Sequence, residues 1–355
     1  MTAAPERLSP AGFEVTATWE RLPEALAHRD VSAVGTDSGD RVYLLTRYDG
    51  RVLVYERDGT FVGEWGSGVF TQPHGLTVSP DDHIWCVDNG DHTVRKFTRD
   101  GRLLLTLGTP GVPSDTGHAF GRPVAVHNVE TVRRPAGPFN GCTNVAVAED
   151  GDVFVADGYG NCRVHHFTAE GEFVRSWGTV GTGPGQFHLP HCIRLTGDGM
   201  LLVGDRENDR IQIFDRDGTW AGQWTDVRRP SDIAIDRDGT VYVAEMWRPP
   251  GKASFVRAAT DRDQPGRVTV LDRRGRVLDR WGTGGPSDRP PARGTVGTFV
   301  APHGIAVDSH GDVYVAEVTY SFAIRAGLVG ADLAAHQLQK FVKTDAVRAA
   351  ARPSP

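Results

Sequence analysis

The chain has 355 residues, 43 of them glycine and 22 proline, and a formal net charge of −6. This acidity, without a basic cluster, argues against a nucleic-acid partner, and apolar runs of strand length argue against a membrane-spanning segment. Residues 1–15 contain neither the basic nor the apolar part of a secretory signal, so a cytoplasmic location with four reduced cysteines is predicted.

A repeat of four short alternating runs organises the chain. Each copy has two runs joined by a turn rich in Asp and Gly, a third run ending in Phe or Leu, and an Asp-Gly pair before the fourth. Six copies begin near Val31, Pro73, Cys142, Pro190, Pro230 and Pro302. Four short strands repeated at roughly 40 residues or more are typical of propeller blades. The sequence therefore predicts an all-β, six-bladed propeller that forms one domain over residues 1–355.

The two ends of the chain are predicted to close the ring. The sixth copy ends near "LQKFVK" without an outermost strand, and "GFEVTATWERL" at 12–22 can supply it. Such closure protects the edge strands. Residues 1–11 and 344–355 are predicted to be flexible. Insertions near 109–141, 246–266 and 319–337 interrupt the repeat. The last two are interpreted as lids over one face, and what any of the three does in the function stays open.

Pro-His pairs open the second, fourth and sixth copies, in "QPHGL", "LPHCI" and "APHGI". An acidic residue follows each histidine by fourteen positions, across the hairpin of the first two strands, so the histidines should lie at one mouth of the channel. Alternate blades of six are related by roughly threefold rotation. His74, His191 and His303 are thus predicted to converge as three ligands of an open metal site. The alternative is that each Pro-His pair is only a structural feature at the start of a strand, copied from blade to blade with the repeat.

Three further side chains are predicted at the same mouth. Arg47 and Arg206 both fall fifteen positions after the residue that matches the histidine, and guanidinium groups there suit a substrate carboxylate. Tyr159, in "DGYGNCRV", projects between two glycines, and a phenol beside a divalent cation can act as a base. Surface ion pairs for the arginines and local packing for the tyrosine are the alternatives.

These motifs, together with "GQFHLPHCI", "DRENDRIQIF" and "APHGIAVD", resemble the catalytic core of peptidyl-α-hydroxyglycine α-amidating lyases, which are propellers of NHL-type repeats. The similarity extends from about Val31 to Phe341. It implies a zinc ion held by the three histidines, a catalytic role for Tyr159, and substrate binding by Arg47 and Arg206.

The resemblance also implies a structural calcium ion, and here the sequence departs from the pattern. The backbone carbonyls would be those of Val34 and Leu76, and the side-chain ligand an Asp directly after the third histidine, where Gly304 stands. Calcium needs oxygen donors, so this substitution weighs against calcium binding. The cysteine expected after the catalytic tyrosine is Gly160, so the disulfide that the resemblance implies has no exact match. Cys142 and Cys162 are close in the sequence, and a disulfide between them is the alternative to reduced thiols.

The predicted function is that of a metal-dependent lyase, with zinc or another divalent transition metal, which breaks the C–N bond of an α-hydroxyglycine or a related carbinolamide. Its substrate would be a small or peptide-derived molecule with a carboxylate. Two alternatives stay open: a metal-dependent hydrolase or lactonase on another small metabolite, and a non-enzymatic NHL-repeat binding scaffold.

Overall fold

The computed structural model describes residues 12–16, 18–118, 131–254, 258–282 and 294–344. The predicted flexible segments, apart from residue 344, lie outside this part. Six antiparallel four-stranded sheets are arranged as the blades of a β-propeller, as predicted. Each sheet follows the order of its strands along the chain, except the last, which includes a strand from the N-terminal side.

The strands of blades one to three are short and regular. Blade one contains β2 Val31–Thr36, β3 Val42–Thr46, β4 Val52–Tyr55 and β5 Phe61–Trp65. Blade two contains β6 Pro73–Val78, β7 Ile84–Asp88, β8 Thr93–Phe97 and β9 Leu103–Leu107. Blade three contains β10 Cys142–Val147, β11 Val153–Asp157, β12 Arg163–Phe167 and β13 Phe173–Trp177. A parallel pair, β14 Thr179–Val180 and β15 Gln186–Phe187, connects blade three to blade four.

The remaining blades repeat the pattern. Blade four contains β16 Pro190–Leu195, β17 Leu201–Asp205, β18 Arg210–Phe214 and β19 Trp220–Trp224. Blade five contains β20 Pro230–Ile235, β21 Val241–Glu245, β22 Arg267–Leu271 and β23 Val277–Trp281. Blade six contains β24 Pro302–Val307, β25 Val313–Glu317, β26 Leu338–Lys343 and, from the N-terminal side, β1 Phe13–Thr16.

The predicted closure of the ring is confirmed. Strand β1 pairs antiparallel with β26, with Phe13 opposite Lys343. The strand is shorter than the segment predicted to form it, and Trp19 beyond it packs between Tyr55 of blade one and Tyr314 of blade six. The segment therefore completes one blade and fills the seam with the next.

The glycine before the fourth strand of blades one to five has a packing reason. All five of these glycines have positive φ. In three of them, a Cβ would lie 2.3–2.6 Å from the tryptophan that ends the preceding blade: Gly101 against Trp65, Gly218 against Trp177, and Gly275 against Trp224. A glycine satisfies both the backbone conformation and the close approach. The repeated turn thus sets how neighbouring blades pack.

Short helices occur in the loops at the mouth. Arg206–Asn208 and Ala331–Ala335 are 3-10 helices, and Tyr320–Ile324 forms a single turn of π-helix. Of the helices within the described residues, none has the length and apolar character needed to cross a bilayer. The four cysteines are buried and free.

Candidate metal centre

One residue near the start of every innermost strand forms a β-bulge against the second strand. In blade two, Pro73 pairs with Asp88 and Gly75 with Val87, so His74 is the extra residue. The predicted pairing of His74 with Asp88 was therefore wrong by one position. The same register shift places Ser32, His74, Thr143, His191, Ser231 and His303 at equivalent bulges. A bulge redirects the side chain of the extra residue, here toward the channel.

The three histidines converge as predicted. Their ring centroids form a nearly equilateral triangle, with separations of 4.8 Å for His74–His191, 4.7 Å for His74–His303 and 4.9 Å for His191–His303. One nitrogen from each lies within 4.8 Å of the others. Within the described residues, no other group of three or more His, Cys, Asp or Glu side chains converges in this way.

Backbone carbonyls of the neighbouring blades hold the imidazoles. The Nδ1 atoms of His74, His191 and His303 each lie 2.7 Å from a carbonyl oxygen, those of Thr143, Ser231 and Ser32 respectively. A carbonyl only accepts, so each Nδ1 carries the proton and each Nε2 keeps its lone pair. This is the arrangement by which a protein orients histidine ligands of a metal. It also explains why histidine alternates with Ser or Thr around the ring, since the carbonyl that each histidine contacts belongs to the bulge residue of the next blade, which is Ser or Thr.

The electrostatic environment keeps these imidazoles neutral. Burial lowers the pKa of His74, His191 and His303 well below its ordinary value, and the positive charges of nearby arginines lower it further. Neutral, buried imidazole nitrogens directed at one point suit a divalent transition metal and leave a coordination position open. The residues present therefore fit the metal that the resemblance implies.

The acidic residues fourteen positions after the bulges are not ligands. Asp88 accepts hydrogen bonds from the backbone N–H groups of Thr71 and Gln72, and Glu317 accepts them from Val300 and Ala301. These donors lie just before the histidine of the same blade. The acids thus anchor the loops that deliver the bulges.

Tyr159 lies beside the histidines, as predicted. Its hydroxyl is 3.0 Å from His74 Nε2 and 3.3 Å from His191 Nε2. The flanking glycines have no room for a side chain, because a Cβ on Gly158 would lie 2.2 Å from the Pro190 carbonyl oxygen, and one on Gly160 2.4 Å from Asn140 Oδ1. The two glycines therefore allow the turn that places the phenol among the nitrogens.

Arg47 approaches the third histidine. Its Nη2 lies 3.3 Å from His303 Nε2, and its Nη1 lies 3.3 Å from the hydroxyl of Ser321. Its Nε is buried without a hydrogen-bond partner. Among the described residues, its guanidinium contacts the Ser321 hydroxyl and the His303 ring, and no carboxylate forms an ion pair with it. A half-buried guanidinium without a counter-charge is suited to an anionic ligand.

Arg206 occupies the opposite side of the mouth. Its guanidinium carbon lies 5.8 Å from the centre of the Tyr159 ring, and its Nε donates to Glu207 Oε1 at 3.0 Å. The structure therefore brings together all six side chains predicted at the site: three histidines, one tyrosine and two arginines.

The calcium site implied by the resemblance does not fit this chain. A Cβ on Gly304 would lie 2.8 Å from Ala33 Cα and 3.2 Å from the Val34 nitrogen, so no carboxylate can be placed there. Leu76 and Val34 are fully buried in the innermost strands. The acidic side chain at the equivalent register is Asp232 of blade five, which already pairs with Arg194.

Arg194 supplies the positive charge in this layer of the channel. Its guanidinium lies 2.9 Å from the carboxylate of Asp232 and 2.5 Å from Asn144 Oδ1. The backbone N–H groups of Ile233 and Ile305 donate to the two oxygens of Asp232, at 2.9 and 3.1 Å. The carboxylate is thus satisfied by protein groups.

Several orienting residues were not found by sequence reasoning. Asp30 accepts hydrogen bonds from the backbone N–H groups of Tyr320 and Ser321. It therefore fixes the helix turn whose Ser321 hydroxyl contacts Arg47. Glu207 and Arg229 form an ion pair beside Arg206. Glu207 adjoins Arg206 in "DREND", but a charged turn gives no indication of burial. Only the fold shows that both are buried.

The second and third insertions meet at the mouth, consistent with their interpretation as lids. Trp247 packs against Phe322, with ring centroids 6.2 Å apart, in an apolar cluster that includes Ala301 beside the third histidine. In the first insertion, Asn140 Nδ2 donates to the Ser114 carbonyl at 2.7 Å. This contact holds the described part of that insertion at the start of blade three.

Comparison with known proteins supports the repeat assignment. The NHL repeat family matches residues 70–97, 139–167 and 299–326. The human protein named NHL repeat-containing protein 3 is 29% identical over 246 residues, which cover 65% of this chain and 66% of that protein. The Drosophila melanogaster protein named peptidyl-alpha-hydroxyglycine alpha-amidating lyase 1 is 36% identical over 174 residues, covering 45% of this chain and 28% of that protein.

The matched region thus covers less than two thirds of either relative. These partial matches nevertheless confirm that the motifs resemble those of NHL-repeat proteins and amidating lyases.

Solved structures agree on the fold. A streptogramin B lyase has a TM-score of 0.57 with 14% identity, covering 93% of this chain and 97% of that one. A gluconolactonase from Xanthomonas campestris has a TM-score of 0.56 with 13% identity, covering 96% and 95%. At this identity the likeness shows a shared propeller and nothing about the reaction.

Proposed function

We propose that this protein is a metal-dependent lyase that breaks the C–N bond of an N-acyl α-hydroxyglycine or a closely related carbinolamide. One observation carries the proposal: the Tyr159 hydroxyl and the Arg47 guanidinium, which has no carboxylate partner among the described residues, both lie within hydrogen-bond distance of Nε2 atoms in the three-histidine centre. A proton carrier and an anion receptor at one metal centre match a substrate whose reacting hydroxyl lies next to a carboxylate.

The arginines would bind the carboxylate. Arg47 is the cation without a carboxylate partner, whereas the charge of Arg206 is shared with Glu207. A guanidinium presents parallel donors that match the two carboxylate oxygens. Binding between these side chains, on opposite sides of the histidines, would hold the α-carbon beside the Tyr159 hydroxyl.

Tyr159 would move the proton. The reaction needs the substrate hydroxyl to lose a proton, the bond between the α-carbon and nitrogen to break, and the departing nitrogen to gain a proton. The hydroxyl carbon becomes the aldehyde of a glyoxylate-type product, and the nitrogen leaves as a primary amide. Proton gain and loss balance: the phenol can give its proton to the departing nitrogen and regain one from the substrate hydroxyl, so no redox cofactor is required.

Zinc is the metal we propose for the histidines, because three neutral imidazoles with an open position are typical of its catalytic sites, and when bound it would supply a Lewis acid for the substrate hydroxyl. The same donors suit other divalent transition metals. His74, His191 and His303 would hold it through Nε2, as their Nδ1 atoms are used by backbone carbonyls.

The test is turnover of N-benzoyl-α-hydroxyglycine by the full chain, loaded with zinc and then treated with a chelator. We expect benzamide and glyoxylate in equal amounts, and loss of turnover on chelation that added zinc restores. Benzoate that carries oxygen from labelled water, formed in place of benzamide, would indicate a hydrolase instead. A metal-free protein with neither activity would indicate a binding scaffold.

A further inference from the structure

Beside the arginine that faces Tyr159 lies a buried carboxylate with no predicted role. Glu207 is fully buried in the 3-10 helix that follows β17. Its Oε1 accepts from Arg206 Nε at 3.0 Å and from Arg229 Nη2 at 3.1 Å. One carboxylate oxygen is thus shared by two buried guanidinium groups from different blades.

Arg229 extends the contact to the blade-five insertion. Its Nη1 donates to the carbonyl oxygen of Trp247 at 2.6 Å, and its own carbonyl accepts the backbone N–H of Met246. Arg229 also has φ of 44° just before β20, in a region that non-glycine residues rarely adopt. Such strain is retained where surrounding contacts determine the conformation.

Two positive charges act on this carboxylate. The guanidinium groups of Arg206 and Arg229 both form ion pairs with Glu207. Burial opposes ionisation of Glu207, but the positive charges of Arg229 and Arg206 hold its pKa at about 2. Glu207 is therefore an anion over the whole working range of pH, and it only accepts hydrogen bonds.

We propose that Glu207 is a positioning residue for the carboxylate-binding side of the site, holding the guanidinium of Arg206 against Tyr159 and connecting it, through Arg229, to the backbone at Trp247. A guanidinium is a rigid planar group, so a bond to Nε fixes the plane in which its remaining donors lie. The orientation of Arg206 and the seating of the insertion then depend on one carboxylate. This inference rests on the proposed function, in which Arg206 binds the substrate carboxylate.

The test compares two substrates in the zinc-loaded full chain: N-benzoyl-α-hydroxyglycine and its primary amide, which lacks the carboxylate. For Glu207→Gln we expect KM for the acid to rise about 10-fold or more, with a much smaller change in kcat, because a neutral amide oxygen holds the guanidinium that binds substrate less firmly than a carboxylate does. KM for the amide should stay near the wild-type value. Glu245→Gln is the matched control, because Glu245 is equally buried and pairs with Arg267 at the end of β21.

A second variant keeps the test informative if Glu207→Gln does not fold. Glu207→Asp keeps the negative charge but shortens the side chain, so it should fold and still raise KM for the acid if position matters. Wild-type KM for the acid in both Glu207→Asp and Glu207→Gln, or equal increases for acid and amide, would overturn the proposal.

Binding of glycolate, a small α-hydroxy carboxylate, separates the two proposals. Calorimetry on zinc-loaded protein measures it without turnover. If the wild type binds glycolate more tightly than Glu207→Gln but releases no glyoxylate from the α-hydroxyglycine, the positioning role stands and the proposed reaction is wrong. If the wild type turns over while both proteins bind glycolate equally, the positioning role is wrong. If the wild type neither binds nor turns over, both proposals are wrong.

Discussion

His74 donates its Nδ1 proton to the carbonyl oxygen of Thr143, across the seam between blades two and three, at 2.7 Å. Both residues occupy the bulge of their blade. The relationship recurs at the other two histidines, so each ligand is oriented by the neighbouring blade and not by its own. Thr143 in turn donates its hydroxyl to the Pro190 carbonyl, just before His191, which connects one histidine to the next.

Replacing Tyr159 by Phe should remove the proton carrier and leave the histidines in place. We expect kcat to fall by roughly 10²–10⁴-fold, the usual contribution of a positioned acid or base, with metal content unchanged. Steady-state kinetics and elemental analysis of the same preparation check this. Tyr242→Phe is the control, because it loses a hydroxyl that bonds Asp236, at a turn of blade five. A Tyr159→Phe enzyme with a rate within a few-fold of wild type would contradict the assignment.

Arg47→Met should weaken substrate binding through loss of the uncompensated charge. A charge-assisted pair between guanidinium and carboxylate contributes about 1.5–3 kcal/mol, so we expect KM for the acid to rise about 10- to 100-fold. Arg51→Met serves as comparison, since Arg51 pairs with Glu64 in blade one and should leave KM unchanged. Equal KM values for Arg47→Met and the wild type would exclude the carboxylate contact.

Chelation should not unfold the channel. Because the guanidinium of Arg194 pairs with Asp232, we expect the same denaturant midpoint with and without a calcium-selective chelator. Arg194→Met should cost about 3–5 kcal/mol of unfolding free energy, since it leaves a buried carboxylate without its partner. Arg216→Met removes an exposed pair with Asp150 and should cost less than about 1 kcal/mol. A calcium-dependent midpoint in the wild-type protein would contradict this reading.

The ion pair of His336 with Glu317 should make stability depend on pH. Burial disfavours the imidazolium, but the charge of Glu317, 2.9 Å away, more than offsets it and raises the pKa of His336 to about 9. The folded value lies above the unfolded value of 6.5, so the contribution is fully present below pH 6.5 and is lost as the pH rises through about 9. Its size is at most roughly 3 kcal/mol.

Urea unfolding at both ends of that pH window measures the effect. His336→Gln should lower the unfolding free energy at the acidic end and flatten its dependence on pH. If the wild-type protein were equally stable, or more stable, at the alkaline end, the pair would not contribute as described.

The convergence of the histidines could be predicted because it depends on quantities that a repeat makes visible: the spacing to the acid, and the alternation of His with Ser or Thr. The bulge could not, because a one-residue register shift leaves the apolar alternation of the flanking strands intact. For the same reason, the role of Thr143 was not visible, since its contribution is a backbone carbonyl.

The burial of charged side chains is the second property that could not be predicted from the sequence. Glu207 and Arg229 lie in charged, turn-like segments, and only their tertiary contacts distinguish them from surface pairs such as Arg276–Asp272. In the channel, Gly304 indicated the loss of a calcium ligand, but the pairing of Asp232 with Arg194 depends on which side chains of the neighbouring blades four and five meet.

The proposed reaction depends on one metal ion held by three imidazoles at the channel mouth. X-ray absorption spectroscopy and elemental analysis of zinc-loaded protein test it together, with His191→Ala and the turn variant His310→Ala as a pair. We predict about one ion per chain, with nitrogen ligands at about 2.0–2.1 Å, in the wild type and in His310→Ala, and near-complete loss of the ion in His191→Ala. A wild-type protein that binds no ion, or a His191→Ala variant that keeps it with the same ligand shell, would contradict the central claim.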